Sequence, residues 1–267
     1  MIALISPAKS LNLDSPILVA GSSEPVFHLE KQPIVDKLSK LQTKDIMKTF
    51  GLSQKLAELN FERFQDLGSE ENLNGRRPCV FTFDGEVYHG LDAYTMNQKE
   101  LEFAQSHLRI LSGLYGSLRP MDLIEPYRLE MGIKIGIGRK KNLYEFWREK
   151  VSMSIHNDLQ SSGQRSILNL ASNEYFKVID PKIAKASVIE FDFLEEEAGE
   201  LKNISFYSKK ARGLMARYLI TNEISKLSDI QGFHSERYLI HSNLSTPSKF
   251  VFTRKFEPIG KKNPPKN

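Results

Sequence analysis

Ile2-Ala3-Leu4-Ile5-Ser6-Pro7-Ala8-Lys9 opens with four apolar residues and stops at Ser6-Pro7. Such a run, closed by a breaker, predicts a buried strand feeding a loop that carries Lys9. Ser166-Ile167-Leu168-Asn169-Leu170 reads as another strand. Ser187-Val188-Ile189-Glu190-Phe191-Asp192-Phe193 alternates with period two, and Asn203 to Tyr207 repeats the pattern beyond a loop with Gly199, as a hairpin would. Cys79 to Phe83 reads as a strand ending at Asp84-Gly85, with Glu86 to Gly90 continuing it, and Tyr238–Ile240 and Lys249–Phe252 are late strands.

Between these runs the period changes. Val35, Leu38, Leu41, Ile46, Met47, Phe50, Leu56, Leu59, Phe61 and Phe64 recur at helical spacing, broken near Gly51. Residues 11–33, with three prolines, read as an irregular wrap, and 68–78 as a polar loop. Asn97 to Leu114 predicts a helix begun by an Asn97/Glu100 capping box, with Leu101, Ala104, Leu108 and Leu111 on one face. Tyr144–Leu159 and Lys209–Lys226 read as helices. No repeat or long linker divides the chain. The expectation is one compact α+β domain over residues 1–254, with a central mixed sheet surrounded by helices and a helix-hairpin-helix element, and a disordered basic tail over 255–267.

The chain has 267 residues, 40% hydrophobic, with 37 Lys and Arg against 33 Asp and Glu. Six of those bases and only one acid, Glu257, lie in residues 249–267, so the rest carries a net charge of −1 and any anion-binding argument must rest on local clusters. Cys79 is the only cysteine, which excludes an intramolecular disulfide framework and a thiolate-rich metal site. No apolar stretch approaches the roughly 18 residues of a membrane span, and the N-terminal run lacks a signal peptide's basic flank. A soluble, unprocessed cytoplasmic protein is expected.

Three segments could carry chemistry. From Ile46 to Ala57 an apolar helix end is followed by Gly51, Leu52, Ser53 and Lys55, the pattern of a helix-hairpin-helix, whose turn aims backbone N–H groups at a DNA phosphate. The usual second glycine is Ser53, and an ordinary turn with Gly51 as C-cap and Ser53 as N-cap fits the segment as well. Lys209, Lys210, Arg212 and Arg217 form a basic stretch of helix suited to phosphate contact, or to pairing with the acids between Glu190 and Glu200. From Gly113 to Gly132, Arg119 and Arg128 lie among Asp122, Glu125 and Glu130 in apolar surroundings, as in a buried ionic network shaping a cleft.

Ser6-Pro7-Ala8-Lys9, Gly85-Glu86-Val87-Tyr88-His89-Gly90-Leu91, Leu111 to Pro120, Pro126 to Gly132, Asn169-Leu170-Ala171-Ser172-Asn173-Glu174-Tyr175-Phe176 and Ile204 to Met215 together resemble the YaaA peroxide-stress family, in order from Met1 to about Arg254. The resemblance implies a cytoplasmic bacterial protein of the peroxide response that limits free iron and oxidative DNA damage. It also implies a compact α+β fold, a helix-hairpin-helix and a basic cleft that binds duplex DNA.

The expected function is therefore duplex-DNA binding without strong sequence preference, through Gly51, Leu52, Ser53, Lys55, Lys209, Lys210, Arg212 and Arg217 on one continuous phosphate track. The alternative is an enzyme acting on a nucleic-acid base or nucleotide in a polar cleft where Lys9, Asp84, Tyr88, Glu130 and Lys209 would supply an amine and a carboxylate base. No metal and no cofactor is expected, because the six histidines show no pair at one-face helical spacing. No obligate protein partner is readable.

Overall fold

In the computed structural model, which describes residues 1–257, the main sheet is built from Ile2–Ile5 (β1), Leu108–Ser112 (β2), Gly116–Leu118 (β3), Ser166–Asn169 (β4), Ser187–Glu197 (β5), Glu200–Lys202 (β6), Leu239–Ile240 (β7) and Lys249–Lys255 (β8). The strand order is β7-β8-β5-β4-β1-β2-β3, with β6 paired to β5. The five strands β8, β5, β4, β1 and β2 run parallel, and antiparallel β7 and β3 close the two ends of that order. This is the mixed central sheet of an α+β domain. All four residues of β1 are buried because the strand lies mid-sheet, with Ala3 opposite Leu108 on one side and Leu168 on the other.

The helices that bear on the site are Gln32–Leu38 (α1), Thr43–Phe50 (α2), Gln54–Asp66 (α3), Glu86–Leu91 (α4), Gln98–His107 (α5), Leu143–Ser161 (α6) and Ser205–Thr221 (α7). Ala3 and Leu108 share a small space with Phe103 of α5 and Leu219 and Ile220 of α7, so those two helices cover one face of the sheet. Side chains alternate along a strand, which sends Ile2 and Leu4 to the other face, where α6 packs on β1. Trp147 of α6, fully buried, donates its indole N–H to the Gly113 carbonyl at 2.9 Å.

Several sequence readings are corrected. The helix from Asn97 ends at His107, and residues 108–112 are β2. Its capping box is present, with Glu100 N–H donating to Asn97 Oδ1 at 3.0 Å and Asn97 N–H to Glu100 Oε2 at 2.8 Å. Leu108 and Leu111 continue the helical spacing, but a short apolar run satisfies either period, and burial of all five residues beside β1 settles it as strand. Cys79–Thr82 is a helical turn, and only Phe83–Asp84 is extended, pairing with Ser10–Leu11. Glu86–Leu91 is a helix, Asn203–Tyr207 is no strand, and the hairpin partner of β5 is β6. The polar loop contains a short helix at Glu70–Asn74, and the 34–67 region has a second break after Leu38. Lys255 closes β8, and the rest of the tail from residue 258 lies outside the described residues.

Helix α4 exists because α7 packs on it at a distance only glycines permit. A Cβ at Gly213 would stand 1.8 Å from the Val87 carbonyl oxygen, and one at Gly90 would stand 2.2 Å from that of Lys210. Backbone meets backbone at this crossing, so no side-chain rotation relieves the overlap. Gly213→Ala is accordingly expected to lower unfolding stability by at least about 3 kcal/mol in chemical denaturation. Gly75→Ala, whose nearest atom lies at 3.4 Å, should stay within about 0.5 kcal/mol of the parent.

Candidate functional site

The carboxyl ends of β2, β1 and β4 are crossed by one irregular segment, Tyr127 to Gly132. Tyr127 shares a 2.6 Å hydrogen bond with Ser112 at the end of β2, and the Leu129 carbonyl lies over Gly113, where a Cβ would come within 2.3 Å of it. Glu130 meets Lys9, in the loop after β1, at 3.1 Å. Gly132 donates its N–H to Glu174, in the short helix Asn173–Phe176 that follows β4, at 3.0 Å. The segments after β1 and β4 are joined directly as well, since Ser172 N–H donates to Ser6 Oγ at 2.9 Å.

Glu130 is the chemical centre of this strap. It is 8% exposed, and its Oε1 takes Lys9 Nζ and Arg128 Nη2 at 3.1 Å and Arg128 Nε at 3.3 Å. Its buried Oε2 has no hydrogen-bond partner among the described residues. Burial pushes the carboxyl pKa up, but the charge and hydrogen bonds of Arg128, with those of Lys9, outweigh it and hold it below the ordinary glutamate range. Arg63 of α3 is close enough to Arg128 for their like charges to be felt, and burial together with that charge lowers its pKa. Tyr175 lies within reach of the Glu130 charge, its phenol pushed well up, chiefly by burial.

Of the candidate enzyme residues, Lys9 and Glu130 are therefore together. Tyr88 is buried and donates its hydroxyl to the Ser6 carbonyl at 3.1 Å, holding the β1 loop, and burial pushes its pKa far up. Asp84 accepts from His89 at 2.9 Å, and Lys209 is exposed on α7 with no partner among the described residues. The expected ionic network is present and divides into pairs: Arg119 with fully buried Asp122 at 3.0 Å, Arg128 with Glu130, and fully buried Glu125 with Lys31, a partner the sequence did not suggest.

Two of the four bases on α7, Lys210 and Arg217, have partners within the fold. Lys210 pairs with Glu236 at 2.5 Å. Arg217 donates to the carbonyls of Leu91 and Asp92 at 3.0 and 2.6 Å, closing the carboxyl end of α4. Half-buried Arg212 has no ion pair or hydrogen bond among the described residues, its buried Nε included; burial lowers its pKa against the more distant charges of Asp192 and Glu190. At the hairpin, Gly51 is left-handed (φ 64°) and caps α2, the Leu52 side chain is buried, and Ser53 opens α3 in extended conformation. The N–H groups of residues 53–56 have no acceptor among the described residues, and Lys48 and Lys55 are exposed beside them.

A family model described as peroxide stress protein YaaA matches residues 1–244. Curated relatives include UPF0246 proteins of Aliivibrio fischeri, in strains MJ11 and ATCC 700601 / ES114, each 41% identical over 254 residues, covering 95% of this chain and 98% of the relative. A UPF0246 protein of Saccharophagus degradans is 42% identical over 255 residues, covering 96% of this chain and all of the relative.

Removing Arg128 strands a buried carboxylate, so Arg128→Ala is expected to cost about 3 to 5 kcal/mol at neutral pH. Lys9, with its side chain 65% exposed, should cost under about 1 kcal/mol as Lys9→Ala. The depressed pKa of Glu130 contributes stability above its unfolded value of about 4.3, lost as pH falls through the lower folded value. In Arg128→Ala the burial effect is opposed only by Lys9 and raises that pKa, so the deficit of the variant should shrink on acidification. Denaturant melts of both proteins between pH 4 and 8 read this directly.

Proposed function

The chain belongs to the peroxide stress protein YaaA family, and on that premise we propose that it is a cytoplasmic stress protein that binds duplex DNA with little sequence preference. The observation that carries the reading is the turn of residues 51–53. Left-handed Gly51 ends α2, and α3 starts with four N–H groups unclaimed among the described residues, flanked by exposed Lys48 and Lys55. Backbone donors at a helix start, with lysines nearby, suit a phosphate and read no base. Lys209 is the α7 base that could add to the same duplex. Covering phosphates releases the cations condensed on them, ferrous ion included, which is a physical route to less iron-driven damage.

A second reading, an enzyme acting on a nucleic-acid base or nucleotide, draws on the 3.1 Å approach of Lys9 and Glu130. Asp84 and Tyr88 already have partners in the fold, which leaves this pair as its core.

Fluorescence anisotropy with a labelled blunt duplex over a salt series tests the first reading. Affinity should fall linearly on a double-logarithmic plot. Lys48→Ala and Lys55→Ala should each flatten the slope by about 0.9, the value for one phosphate left without its cation, equally on scrambled sequences. A flat salt response, or slopes unchanged in both variants, would overturn it.

A further inference from the structure

The sheet order creates a second place for a ligand. From β1 the chain reaches its parallel neighbour β2 on one side, whereas from β4 it reaches β5 on the opposite side. The two connections leave adjacent strands in opposite directions, and at such a switch point a crevice opens outside the carboxyl ends of the strands. Here the two strand ends continue into the segments carrying Ser6–Lys9 and Leu170–Glu174, and the Glu130 strap crosses both.

We propose that this switch point binds a nucleotide, whose phosphate is taken by Lys9 and whose sugar hydroxyl or base amine donates to Glu130. Two cations, Lys9 and Arg128, meet on Oε1 of the Glu130 carboxylate and leave its Oε2 open. Lys9 covers that carboxylate with its side chain 65% exposed, so an incoming phosphate meets the ammonium first. Once the ammonium swings to the phosphate, Glu130 keeps Arg128 alone, and its Oε2 is already without a partner among the described residues. A buried charged acceptor in that condition calls for a donor, and the group next to a nucleotide's phosphate supplies one. Inorganic phosphate offers the anion alone, and a nucleoside the donor alone. The same chemistry is carried by a free mononucleotide and by the 5′-terminal nucleotide of a DNA strand. The proposal rests on the second reading, that of the Lys9–Glu130 pair, and stands whether or not the α2–α3 turn holds duplex.

Isothermal titration of the full chain with each of the four deoxynucleoside 5′-monophosphates, with inorganic phosphate and with deoxyadenosine tests the proposal. Fluorescence anisotropy with a duplex bearing a 5′-phosphorylated single-stranded overhang forms a separate arm, read against the blunt duplex. At least one monophosphate, or the overhang, should bind at one site per chain, with phosphate and nucleoside each about tenfold weaker or more. Lys9→Ala, which leaves the fold intact, should weaken that binding about tenfold, whereas Lys55→Ala should not. Blunt-duplex affinity should show the reverse dependence, so the two readings fail separately. Monophosphate binding assigns a free nucleotide, and binding of the overhang alone assigns a strand end. Absence of both to millimolar concentration, or binding matched by inorganic phosphate and indifferent to Lys9→Ala, would overturn the proposal.

Discussion

A carboxylate buried at the carboxyl edge of a parallel sheet must be neutralised where it stands, and Glu130 is neutralised by residues from two different segments. Lys9 comes from the loop after β1, while Arg128 comes from the strap itself. Because the strap also binds Ser112 and Glu174, satisfying that one charge fixes the ends of β2, β1 and β4 relative to one another. Buried ion pairs add little net stability over an apolar alternative, but breaking one is severe. The pair therefore acts mainly on geometry: it holds a cationic group over a carboxylate at the place where the topology opens the sheet.

The same economy governs the basic helix. α7 approaches α4 through Gly90 and Gly213 closely enough for Arg217 to reach the last carbonyls of α4, where a cation also suits the negative end of the helix dipole. Lys210 answers Glu236 on a neighbouring element, while Arg212 is half-buried with its Nε unpartnered among the described residues. Four bases in nine residues therefore leave Lys209 exposed and Arg212 half-buried, each without a hydrogen bond or ion pair among the described residues. On the proposed reading, phosphate contact centres on the α2–α3 turn, with its open backbone donors.

The apolar strands β1, β4 and β5 and the bodies of helices α3, α5, α6 and α7 could be read from period and caps, because each is long enough or regular enough for one period to win, although the first turn of α7, from Ser205, reads as strand. The errors fell where tertiary packing decided. Leu108–Ser112 fits a helix until β1 is beside it, and Val87 to Leu91 fits a strand until Gly213 is against it. The pairing of Arg128 with Glu130 was legible from charges set among Leu and Met. Its connection to Lys9, more than a hundred residues away, was visible only as two motifs of one resemblance. Glu174 likewise appeared only within a motif of the resemblance, and Arg63 looks like an ordinary charge on a helix until the fold brings it near Arg128.

The central claim is that one strap, held by Glu130, binds the strand ends into a single unit. Residue-resolved amide hydrogen exchange on the parent and on Arg128→Ala tests it most directly. The account predicts that loss of Arg128 speeds exchange together at Gly132 N–H, bonded to Glu174, and at Ser172 N–H, bonded to Ser6, while the amides of β1 and β4 keep their protection. Faster exchange confined to residues beside position 128, with Gly132 and Ser172 unchanged, would contradict it.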